Sequence, residues 1–123
     1  MRYLGVDFGL KRIGLATSEG ELASPDKTLE VKNFKNALEQ IIQESRDFDK
    51  VVVGLPEGKM GQTVLGFIKA LKKSGVDAVE ADETLSSQKA IKQMIESGVS
   101  KKNRLVNDSV AAAIILQGYL DSL

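Results

Sequence analysis

Three acids stand where they could do chemistry. Asp7 ends the stretch YLGVD, Glu83 follows Asp82 in ADETLSS, and Asp108 opens DSVAAA. Leu4, Val6 and Phe8 surround Asp7 with apolar positions, and a carboxylate carried into such surroundings is costly unless a cation or hydrogen-bond donors meet it. Carboxylates drawn together from distant parts of a chain repel one another unless a divalent cation lies between them. The sequence has no histidine and no cysteine, so any metal would be held by oxygen alone, which favours Mg2+ or Mn2+. Two such ions ~3.5–4 Å apart stabilise both the attacking and the leaving oxygen in phosphodiester cleavage. Each acid also has a plainer reading. Asp7 suits a turn before Phe8-Gly9, Asp82 and Glu83 suit a strand end or a helix N-terminus, and Asp108 suits an N-cap. The combination carries the metal reading.

Elements that would bring these acids together can be read from the hydrophobic pattern. Residues 2–8 and 12–18 form two strands joined by a turn short enough for a hairpin. Ser24-Pro25-Asp26 reads as a turn, and Thr28 to Val31 as a third strand at a sheet edge. Asn33 caps a helix running to about Arg46, with Phe34, Ala37, Leu38, Ile41 and Ile42 at helical spacing. Val51-Val52-Val53 is a short apolar strand of the kind buried on both faces. A helix over about 61–74 turns Val64, Leu65, Phe67, Ile68 and Leu71 inward and stops at Gly75. A strand from Val76 to Ala81, a helix from Ser86 or Ser87 to Ile95, and a last helix from about Arg104 or Leu105 to Leu120 complete the chain. Three antiparallel strands followed by strand–helix alternation predict a mixed α/β sheet with helices on both faces. In open sheets of this kind, ligands gather beyond the carboxyl ends of parallel strands. Asp7 and Glu83 both fall there, and the small residues after Asp108 let the last helix come close.

At 123 residues, 42% of them hydrophobic and 28% charged, the chain reads as one domain, residues 1–123. No stretch is long and apolar enough to span a bilayer, and the N-terminal residues lack a signal-peptide pattern, so a cytoplasmic protein without a membrane partner is expected. Lys plus Arg equals Asp plus Glu, at 17 each. The balance argues mildly against nucleic acid, which usually leaves a basic footprint. The basic residues are nonetheless clustered, with Lys11-Arg12 beside Asp7 and Lys101, Lys102 and Arg104 shortly before Asp108. Both groups could meet a phosphate backbone. Two other patterns fail on spacing. Gly54 to Met60 lacks the intervals of a P-loop, and Ser86-Ser87-Gln88-Lys89 lacks the partner motifs of an S-x-x-K nucleophile.

GVDFGLKRIGLATS, VVVGLPEGKMG, ADETLSS and NDSVAAAIILQGYL, in this order and spacing, resemble the YqgF or RuvX family, pre-16S rRNA nucleases related to Holliday-junction resolvases. The resemblance covers almost the whole chain. It implies an RNase H-like fold with a mixed five-stranded sheet, and a Mg2+- or Mn2+-dependent nuclease whose catalytic and metal-binding acids are Asp7, Glu83 and Asp108. The implied role is maturation of the 5′ end of 16S rRNA. The chain departs from the family pattern at Thr84, where an arginine commonly follows the D-E pair, at Glu19 after Ser18, and in a shortened loop after Gly54-Leu55-Pro56.

Three other functions fit parts of the pattern. A resolvase-like DNA nuclease would use the same acids. A nucleotide-binding protein of the actin or sugar-kinase type also opens with D-x-G on a strand before a hairpin, but needs two such domains to enclose its ligand. A non-catalytic RNA-binding module in ribosome assembly would suit the neutral charge and Thr84, yet gains nothing from a negative cleft.

Overall fold

A computed structural model describes residues 1–82 and 108–123. Its sheet has five strands: β1 (Tyr3–Asp7), β2 (Arg12–Ser18), β3 (Ser24–Glu30), β4 (Lys50–Leu55) and β5 (Ala78–Asp82). Their spatial order is β3-β2-β1-β4-β5. β1 pairs antiparallel with β2 and parallel with β4, β2 pairs antiparallel with β3, and β4 pairs parallel with β5. Helices α1 (Phe34–Glu44) and α2 (Lys59–Lys73) supply the first two crossovers, and α3 (Asp108–Asp121) comes last. The helix expected over residues 86–95 lies outside the described residues.

The pleat of β1 divides the core in two. Leu4, Val6 and Phe8 join Ile13, Leu15, Val51, Val53 and the apolar faces of α1 and α2. Tyr3 joins Ala16, Val52, Ala112, Ala113 and Leu116 of α3 on the other face. Because β4 contributes to both clusters, its run of valines is apolar without alternation, as a central parallel strand requires. Asn33 caps α1 as expected, its side chain accepting a hydrogen bond from the Asn36 N–H at 2.8 Å. Gly75 follows α2 with φ +88°, the left-handed conformation that glycine adopts without a Cβ clash.

Two expectations change. Ser24-Pro25-Asp26 is part of β3 rather than a turn before it. β3 is an edge strand, where a proline costs no ladder hydrogen bond if its nitrogen faces outward. Leu65, read as inward, is 42% exposed on α2. The stripe formed by Val64, Phe67, Ile68 and Leu71 already fills the face that meets the sheet.

Candidate active site

Asp7 is the last residue of β1 and is partly buried. It lies opposite Gly14 in the antiparallel register, two pairs beyond Gly5↔Ala16. Directly opposed residues share a face, and that face alternates along each strand. Tyr3, Gly5 and Asp7 therefore point to the α3 side, with Ala16 and Gly14 beside them. The same alternation in β4 and β5 puts Val52 and Gly54, and Val79 and Ala81, on that side, where Gly54 pairs with Ala81. The floor around Asp7 is thus made of Gly14, Gly54 and Ala81, and none of these carries more than a methyl group.

Asp108 reaches the same place from the other end of the chain. A Cβ added at Gly14 would stand 2.0 Å from the Asp108 carbonyl oxygen and 2.8 Å from its Cβ. Lower down, a Cβ at Gly5 would stand 2.8 Å from Leu116 Cβ and 3.1 Å from the Ala112 oxygen. The two glycines of the sheet and the alanines of the helix together let α3 lie directly on β1 and β2. Gln117 anchors it further along. Its Oε1 accepts from the Ala23 N–H at 2.9 Å, and its Nε2 donates to the Glu21 carbonyl at 2.8 Å. Gly14 is therefore bounded by Asp7 across the strand pair and by Asp108 above.

Arg12, the first residue of β2, also meets this group, with its Nε 3.3 Å from Asp108 Oδ2. That oxygen is shielded from solvent and accepts no hydrogen bond of good geometry among the described residues. A buried carboxylate oxygen without hydrogen bonds is costly and is what a metal ligand presents before its ion is bound. The donor set suits a hard cation, because the acids offer oxygen only. The described residues contain no group of three acids close enough to hold an ion. Asp7 and Asp108 are brought together, and Glu83 lies outside the described residues, as do Lys101, Lys102 and Arg104. Asp82 can be placed. It pairs with Leu55, which packs against the α1–α2 core, so it sits on the face opposite α3. Lys11 is exposed at the turn and, with Arg12, Glu30 and Val31, lines an open cavity of about 530 Å³ at the β2–β3 edge.

The RuvX family, described as Holliday junction resolvase, matches residues 1–122. The chain belongs to this family. A relative from Endomicrobium trichonymphae, named "Putative pre-16S rRNA nuclease", is 41% identical over 98% of this chain and 95% of its own length. Among solved structures, the fowlpox virus Holliday junction resolvase aligns with a TM-score of 0.64 at 14% identity, covering 99% of both chains. RuvC of T. thermophilus in complex with a Holliday junction substrate aligns with a TM-score of 0.62, also at 14% identity, over 99% of this chain and 96% of that one. At such identity these two likenesses speak for the fold, which is RNase H-like. The RuvX motifs and the mixed sheet thus agree with the sequence reading. Gly5 and Gly14 are the residues that reading passed over. Their signal was present, since Gly5, Gly14 and Ala16 are small residues at alternate positions of two paired strands.

Proposed function

We propose that this RuvX-family chain is a metal-dependent nuclease that hydrolyses phosphodiester bonds, and that its substrate is precursor 16S rRNA. The observation that carries the reading is the convergence of Asp7 and Asp108 on Gly14, with a shielded Asp108 oxygen that accepts no hydrogen bond among the described residues. The RNA substrate is taken from the name carried by the Endomicrobium relative.

Asp7 and Asp108 would hold Mg2+ or Mn2+, and Glu83 is proposed as the third ligand. Asp82 is not proposed as a ligand, because it lies on the face of β5 opposite α3. A divalent cation bound there would supply charge stabilisation at the phosphoryl group and an acidified water. The protein's own residues do the rest. Asp7, at the end of a strand whose ladder is paired on both sides, gives a fixed carboxylate with no loop motion to absorb. The lack of a side chain at Gly14 lets Asp108 sit directly over the strand pair that ends in Asp7. Lys11 and Arg12 lie at the rim, where their charges would meet phosphate oxygens, and Lys101, Lys102 and Arg104 are assigned the same role from their place in the sequence before Asp108.

The test is cleavage of a labelled precursor rRNA fragment and, in parallel, a four-way DNA junction, with Mn2+, Mg2+ or chelator. Wild type is expected to cut the RNA only with metal. Asp7→Asn and Asp108→Asn should each lower the rate by at least ~10²–10³-fold, the loss expected when a metal worth several kcal/mol of transition-state stabilisation is no longer held, with an unchanged melting curve. Cutting that survives chelation or either substitution would refute the metal site. Preference for the junction would move the substrate from RNA to branched DNA, in line with the family's description.

A further inference from the structure

Arg12 stands in a place that a divalent cation would also want. Its Nε lies 3.3 Å from Asp108 Oδ2, yet that oxygen accepts no well-formed hydrogen bond among the described residues. The contact is therefore one of charge more than of bonding, and the Arg12 side chain remains 45% exposed. An ion pair of that exposure is weak and can be exchanged. A hard dication, in contrast, gains most from an anionic oxygen already stripped of water. Arg12 also has somewhere to go. Glu30 stands directly opposite it in the β2–β3 register, and the two share a cavity of about 530 Å³ with Lys11 and Val31.

We propose that Arg12 is an exchangeable counter-ion, which neutralises Asp108 while no cation is bound and yields Oδ2 when one enters. Released, the guanidinium stays within the Lys11–Glu30 cavity at the rim of the site, where it adds a forked donor for phosphate. Metal loading and nucleic-acid binding would then be coupled through one side chain. A positively charged rim facing nucleic acid would develop as the carboxylate is taken by metal. The inference rests on the metal-site reading above and gives Arg12 a part in metal loading besides its contact with phosphate.

The test is Mn2+ binding in the absence of nucleic acid, followed by electron paramagnetic resonance of the free ion, for wild type, Arg12→Gln, Lys11→Gln and Asp108→Asn. Arg12→Gln is expected to bind Mn2+ about two- to fivefold more tightly, the factor set by losing a half-exposed ion pair. Lys11→Gln removes the same charge from the same turn without the contact to Asp108, and should shift affinity less than twofold. Asp108→Asn should weaken binding at least tenfold. On the wild-type protein, the NMR signal of the Arg12 Nε–H should move on titration with Mg2+, with a midpoint equal to the Mg2+ dissociation constant. This measurement decides the matter if Arg12→Gln does not fold. Binding that needs Asp108 but is unchanged or weakened in Arg12→Gln, or an Arg12 signal that ignores Mg2+, overturns the exchange and leaves the metal site standing. Wild type that binds no Mn2+, or Asp108→Asn that binds it as well as wild type, overturns both.

Discussion

Gly14→Ala is the sharpest probe of how this site is assembled. The substitution adds one methyl group, and that methyl would stand 2.0 Å from the Asp108 oxygen, 2.3 Å from its carbonyl carbon and 2.8 Å from its Cβ. Ordinary van der Waals contact begins at about 3.4 Å or more between such atoms. None of the three can swing away, since two belong to the backbone and the third is fixed to it. The start of α3 must therefore lift by about 1–1.5 Å, or β2 must bend. Overpacking of this kind costs ~1–3 kcal/mol, and at a few degrees per kcal/mol for a domain of this size it should lower Tm by roughly 4–12 °C. The chemical effect should be larger than the thermal one. A misplacement of ~1 Å between groups that must act together can cost ~10²-fold in rate, and Asp7 and Asp108 are the groups being separated. Cleavage and Mn2+ affinity should fall together while far-ultraviolet circular dichroism stays native. Gly66→Ala is the matched control. Gly66 is exposed on α2 with nothing within 4 Å of its missing Cβ, so alanine there should stabilise the helix by ~0.5–1 kcal/mol and leave activity untouched. If Gly14→Ala melts, binds Mn2+ and cuts like wild type, the idea that Gly14 sets the spacing of the two acids is wrong.

Other outcomes follow from the same contacts. Gln117→Ala removes the acceptor for Ala23 and the donor to Glu21 that tie α3 to the β2–β3 connection. It should destabilise by ~1–3 kcal/mol in thermal or urea unfolding and should lower activity only near the new Tm. Lys27, whose ammonium pairs with Glu44 across β3 and α1, has its pKa raised above the ordinary 10.5, chiefly by the hydrogen bond to that carboxylate. A raised lysine contributes its stability fully below the unfolded value and loses it as pH climbs through the folded one. Lys27→Met should therefore melt slightly lower than wild type at pH 8, by no more than ~1 kcal/mol for so exposed a pair. The two melting curves should converge above the folded pKa of Lys27.

Much of the fold could be read from particular residues. Val51-Val52-Val53 announced a central strand because burial on both faces removes the need for alternation. Asn33 announced a helix start because its side chain can satisfy an orphan N–H three residues on. Asp7 stood out because a carboxylate among Leu4, Val6 and Phe8 violates the local pattern. What escaped depended on partners distant in sequence. Whether Pro25 ends a strand or lies within one depends on which side of β3 is left unpaired, and that is a property of the whole sheet. Leu65 fits a helical stripe as well as Val64 does, and only the width of the face offered by the sheet excludes it. Gly5 and Gly14 look like ordinary strand glycines until α3 is laid over them. The Arg12–Asp108 contact joins the first hairpin to the last helix and has no local signature.

The two acids at Gly14 lie far apart in the sequence, and this sets an order of events during synthesis. Asp7 is made well before Asp108, and its hairpin with β2 can form from local sequence alone. β1 gains its parallel neighbour only after the α1 crossover has been made, and Asp108 arrives only with α3. Loop-closure entropy makes such long-range docking late in folding as well. A nascent chain therefore carries only part of the proposed site until Asp108 has been made and cannot complete it before α3 seats. For an enzyme proposed to cut ribosomal RNA precursors, the protection of nearby RNA from an unfinished protein follows from the chain's topology, with no inhibitor required.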